Sequence, residues 1–100
     1  MTPRTLVWSE GAIADLEAIV DFIALDKPEA ARRWAASLTS MAEQAAAIPF
    51  AGRQVPEYDR DDVREVIKRG YRVLYRVSVE QVEVLAVIEG HRRLPAILDQ

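Results

Sequence analysis

The stretch YRVLYRVSVEQVEVLAVIEG, residues 71–90, constrains the fold more than any other part of the chain. Tyr71, Val73, Tyr75, Val77 and Val79 alternate with Arg72, Leu74, Arg76 and Ser78, and a second alternating run follows from Val82. A period of two belongs to an extended chain whose side chains point to opposite faces in turn. Taking Glu80-Gln81 as a two-residue turn aligns Val79 with Val82, Val77 with Val84, Tyr75 with Ala86, Val73 with Ile88 and Tyr71 with Gly90. All of these side chains then share one face, which has to be buried by another layer.

The rest of the chain supplies that layer. RTLVW (4–8) reads as a short strand, and Ser9 stands where a helix N-cap belongs. Ala12, Ile13, Leu16, Ile19, Val20 and Ile23 recur at helical spacing, predicting an amphipathic helix to about Leu25. DKPE (26–29) starts a second helix, with Asp26 as cap and Pro28 in the first turn. Its stripe runs through Ala31, Trp34, Ala35, Leu38, Met41, Ala42 and Ala45 to near Pro49. The short link predicts an antiparallel helical hairpin that alanines allow to pack closely. Residues 48–62 read as one long loop, and strands are expected at 63–68, 71–79 and 82–90. The expectation is a single domain over residues 1–100, β-α-α-β-β-β: an α+β, two-layer sandwich with the hairpin on one face of a mainly antiparallel sheet.

Composition narrows the chemistry. The chain has no cysteine and one histidine, so disulfides, thiolate metal sites and thiol nucleophiles are excluded and no cofactor is expected. No apolar run reaches transmembrane length and no signal peptide opens the chain, which points to the cytoplasm. The net charge of −3 provides no global attraction for nucleic acid. Basic residues concentrate late: residues 1–50 hold four against seven acidic, residues 51–100 nine of each.

On the predicted register, the second sheet face carries Arg72, Leu74, Arg76 and Ser78 beside Glu83, Leu85, Val87 and Glu89, and His91 continues it. No predicted helix remains to cover Leu74, Leu85 and Val87, so this face is expected to be exposed and to need a partner. Ordinary explanations stand beside that one. Arg72 opposite Glu89 and Arg76 diagonal to Glu83 are cross-strand ion pairs. His91 is a strand-end surface residue, Arg92-Arg93 a solvated exit, and Trp8 and Trp34 core aromatics. Composition and spacing stop at a small α+β domain with an unusual sheet face.

Several segments together carry a resemblance: VW before the first helix, AIADLEAIVDFI (12–23), PEAA (28–31), IPFAGR (48–53), VREV (63–66), YRVLYRV (71–77) and VIEGHRR (87–93). In this order, and on this plan, the set resembles the RelE/ParE family of type II toxin–antitoxin toxins, most closely its ParE branch. The resemblance implies neutralisation by a ParD-like antitoxin from the adjacent gene. That antitoxin has a ribbon-helix-helix N-terminus that carries the DNA binding, and its C-terminal segment wraps the toxin in a hetero-oligomer. Such a segment would cover Leu74, Leu85 and Val87 and pair with Arg72, Arg76 and Arg93. ParE-like members are non-enzymatic inhibitors of DNA gyrase, and target contacts are expected from Arg53, Arg72, Arg76, His91, Arg92 and Arg93. RelE-like members are ribosome-dependent mRNA endonucleases. In that alternative Arg72 would stabilise phosphate and His91 would act as acid or base, although no tyrosine follows His91 and only Lys27 and Lys68 are lysines. A third alternative is an inactive, antitoxin-binding module.

Overall fold

The computed structural model describes residues 3–90. Strand β1 (Thr5–Trp8) leads into helix α1 (Glu10–Ala24), followed by helix α2 (Pro28–Ala47). After a single 3-10 turn (Pro49–Ala51) come β2 (Arg53–Gln54), β3 (Val63–Lys68), β4 (Tyr71–Val77) and β5 (Gln81–Glu89). The sheet order is β1-β5-β4-β3-β2, with β1 parallel to β5 and every other pair antiparallel. This is the expected α+β architecture of two helices on a mainly antiparallel sheet.

Local chemistry explains most boundaries. The Ser9 hydroxyl accepts from the Ala12 N–H at 3.0 Å and donates to the Leu85 carbonyl at 3.2 Å, so one side chain caps α1 and ties it to β5. Asp15, half-buried on α1, accepts the Val87 N–H at 3.0 Å, serving a β5 edge donor that lies beyond the end of β1. Between β3 and β4, Arg69 (φ 50°) and Gly70 (φ 85°) both take positive φ, as a two-residue hairpin loop requires. Gly52 is needed for another reason: a Cβ there would overlap the Tyr75 hydroxyl, which donates to the Pro49 carbonyl at 2.6 Å.

The helix-covered face packs Ala12, Leu38 and Ala42 against Val73, Val84 and Val87, with Leu6, Trp8, Leu16, Trp34 and Tyr71 at its margin. Ala45, Tyr75, Val77 and Val82 extend this core towards the hairpin end of β4 and β5. Trp34 meets Tyr71 edge-on, with ring centroids 5.0 Å apart.

Three local expectations are corrected. The cap of α2 is Lys27, with no side-chain cap bond, so Asp26 does not serve; Pro28 at the first turn is what fixes the start. The segment 48–62 is only partly loop, since it holds the 3-10 turn and β2, which makes the sheet five-stranded. The β4–β5 register also differs. The hairpin turns at Val79-Glu80, the Ser78 N–H donating to the Gln81 carbonyl at 2.9 Å, so Val77 faces Val82 and Tyr75 faces Val84. That two-residue slip preserves which side each residue faces. Then Leu74 pairs with Ala86, leaving Leu85 as the extra residue of a β-bulge. Beyond a bulge the alternation inverts, so Val87 turns under the helices while Leu85, Ala86 and Ile88 line the other face.

Candidate functional site

The second sheet face is not bare, contrary to the sequence-based expectation. Leu74, Leu85, Ala86 and Ile88 are buried with Val55 and Val63, and Tyr58 packs against them. The chain between β2 and β3 crosses this face as a strap and roofs it. Leu74 and Leu85 are therefore covered by the protein's own residues, and Val87 faces the helices.

Arg72 is buried beneath the strap as its fastening point. Its side chain is 8% exposed and that of Glu65 on neighbouring β3 is 0% exposed. The Arg72 Nε donates to Glu65 Oε1 at 2.6 Å, and its two terminal nitrogens donate to the Glu57 carboxylate at 3.0 Å each. Arg53 closes the network from the strap's other end, its Nε donating to Glu65 Oε2 at 2.5 Å. Two cations and two carboxylates thus neutralise one another, and among the described residues no buried side-chain nitrogen or oxygen lacks a hydrogen-bond partner. The bidentate bond from Arg72 holds the Glu57 carboxyl below the usual carboxylate range, and the same bond raises the Arg72 guanidinium above its ordinary value. The expected pairing of Arg72 with Glu89 does not form, because Arg72 lies opposite Ile88.

The remaining candidate cations are dispersed. Arg76 sits directly opposite Glu83 and donates to it at 2.7 Å. Arg53 is half-exposed and already engaged with Glu65. His91, Arg92 and Arg93 lie outside the described residues. No single cationic surface joins Arg53, Arg72 and Arg76 in the form the sequence suggested. Glu57 and Glu65, which decide the state of Arg72, were missed. A glutamate at the inward position of VREV was the available signal for one of them, and no periodicity marks the other.

The open feature lies on the opposite side of the sheet. The helices pack over β1, β5 and β4, and between α2 and β3 they leave a groove of about 790 Å³. Met41, Ala45, Val66 and the exposed Ile48 and Ile67 give it apolar walls, with Arg33 and Lys68 also lining it. Lys68 donates to Ser37 across the groove at 3.0 Å. On its outer side β3 pairs with β2 only through Glu65 and Arg64, so no strand of the described residues flanks Val66–Lys68 there. Apolar walls, cations and an open strand edge are features that receive a polypeptide segment. Among the described residues no group of histidine, cysteine or carboxylate side chains is arranged to hold a metal ion.

Three comparisons place this chain among known proteins. A family model described as the ParE toxin of the type II toxin–antitoxin system parDE matches residues 6–94. A Sinorhizobium fredii protein named "Putative toxin Y4kP" is 30% identical over 100 residues, covering 98% of this chain and 100% of that protein. A structure titled "Chromosomal ParDE TA system from P. aeruginosa" superposes with a TM-score of 0.75 at 22% identity, covering 89% of this chain and 98% of the other. With its helical hairpin, its five-stranded sheet and a family match over most of its length, the chain belongs to the ParE toxin family.

Proposed function

We propose that this ParE-family toxin arrests growth by binding DNA gyrase, without covalent chemistry of its own, and that a cognate ParD-like antitoxin neutralises it in the cytoplasm. The observation that carries the choice between the family's two activities is the state of Arg72. A ribosome-dependent nuclease needs a cation free to meet the scissile phosphate. Here the matching arginine is buried and held by two carboxylates, at 2.6 and 3.0 Å. Bringing RNA to it would displace Glu57 and leave Glu65 short of one partner, a strongly unfavourable exchange.

The antitoxin segment is assigned to the α2–β3 groove in place of the roofed face. An acidic amphipathic segment would bury apolar side chains against Met41, Ile48 and Ile67 and set its carboxylates near Arg33 and Lys68. Leu74, Leu85 and Val87 support this complex from beneath and do not touch it. Purified toxin should inhibit supercoiling by gyrase, and the antitoxin should relieve the inhibition. Unimpaired supercoiling, together with mRNA cut at ribosomal A sites, would favour the nuclease reading. Ile67→Asp should weaken antitoxin binding at least about tenfold while leaving the melting temperature nearly unchanged, because the residue is half-exposed.

A further inference from the structure

Phe50 stands half in solvent and is nonetheless tightly held. It occupies the 3-10 turn whose Pro49 is buried and fixed by Tyr75. The guanidinium carbons of Arg4 and Arg64 lie 5.9 and 5.2 Å from its ring centroid. Arg64 is itself locked, donating to Asp61 Oδ1 at 2.6 Å, the Asp61 carbonyl at 2.9 Å and the Gly52 carbonyl at 3.2 Å. Arg4 donates to the Ser78 carbonyl at 2.8 Å. Among the described residues it has no carboxylate partner. The hairpin tip carries Val79, 88% exposed, one residue beyond that carbonyl. Three segments remote in sequence thus present a phenyl ring to water with its position already set.

Aromatic residues are enriched at protein interfaces and arginine is among the residues that dominate their binding energy, and a side chain already held in place has little freedom left to lose on association. The charge around this one selects the class of partner. Arg64 is neutralised by Asp61 and Asp62 by Arg60, at 2.6 and 2.7 Å, while Glu80 belongs to the same end of the sheet, its carbonyl accepting from the Thr5 N–H. These pairs leave no block of like charge to hold a polyanion, whereas one cation without a carboxylate partner among the described residues, beside a phenyl ring, suits a carboxylate next to an apolar pocket.

We propose that Arg4, Phe50 and Arg64 form the hot spot through which the toxin engages its protein target, inserting Phe50 into an apolar pocket edged by an acidic residue. The proposal rests on the toxin reading and not on gyrase being the target. The test is induced expression of the full chain in a bacterial host, comparing wild type with Phe50→Ala, Arg4→Glu and Arg4→Lys. Melting temperature and antitoxin affinity of each purified variant are measured alongside. Phe50→Ala and Arg4→Glu should each weaken growth arrest about tenfold or more in the dose required, with melting and antitoxin affinity preserved. Arg4→Lys should keep most of the activity. Arrest lost in both variants while wild-type toxin leaves supercoiling untouched would retain the hot spot and discard gyrase. Undiminished arrest by Arg4→Glu and Phe50→Ala would overturn the proposal. So would a loss of antitoxin affinity with arrest intact, or binding of a short single-stranded oligonucleotide that Phe50→Ala abolishes.

Discussion

One sheet is buried on its two faces by unlike means. Under the helices, Ala12, Leu38, Ala42, Val73, Val84 and Val87 meet as aliphatic surfaces, and the small residues on α1 and α2 bring the helices close. Beneath the strap, Val55 and Tyr58 provide a thinner apolar cover, and the cover is fastened by Arg72 between Glu57 and Glu65. Apolar contact is non-directional and is shared among many side chains. An ion network is directional: removing one member leaves its buried partner uncompensated. The helix face should therefore lose stability in proportion to what is removed from it, and the strap face should fail abruptly at one residue.

The severest way to break this contrast is a charge placed under the helices. Leu38 is fully buried, and Leu38→Asp should cost upwards of about 4 kcal/mol, enough to abolish soluble folding of a small domain. Far-ultraviolet circular dichroism of the variant checks it. Next, Arg72→Ala should cost about 3–5 kcal/mol in denaturant unfolding, because Glu65 stays buried with Arg53 alone. A loss below about 1 kcal/mol would mean the strap is held by apolar contact after all. Replacing Arg72 and Glu65 together by apolar residues of similar volume should recover much of the loss.

Tyr75→Phe removes the hydroxyl bond to Pro49 and should cost about 1 kcal/mol, also by denaturant unfolding. Burial raises the Tyr75 phenol above its ordinary value. Its contribution is therefore complete below the unfolded value near 10 and fades as pH rises through the higher folded value. The smallest effect belongs to Glu57, whose side chain is 47% exposed and correspondingly screened. Its folded carboxyl titrates below the ordinary 4.5. The stability it adds is present above that ordinary value and is lost as pH falls through the lowered one. Glu57→Gln should thus differ from wild type at neutral pH and converge with it in acid, as thermal melts at both ends would show.

The fold was largely legible because each element repeats its pattern within a few residues. Six apolar positions announce α1, the proline at its start announces α2, and alternation announces β3, β4 and β5. The bulge at Leu85 was not legible, since LAVI offers apolar side chains to either face and only pairing with Leu74 decides which way they turn. The candidate site was legible in half. Arg72 and Leu74 were correctly placed away from Val73 and Tyr75, but the strap above them has no periodicity to read. Phe50 carried no signal beyond its place in IPFAGR.

Sequence alone determined the layers, because helix and strand periods are local properties that survive any arrangement of the rest. Only the tertiary structure decided which surfaces reach solvent. Glu57 meets Arg72 across 15 positions and Arg4 meets Phe50 across 46. Contacts at such separations exist only once the intervening chain has folded. For that reason a cation that looks poised for a ligand in the sequence is spent inside the protein, while a phenylalanine in an unremarked turn faces outward.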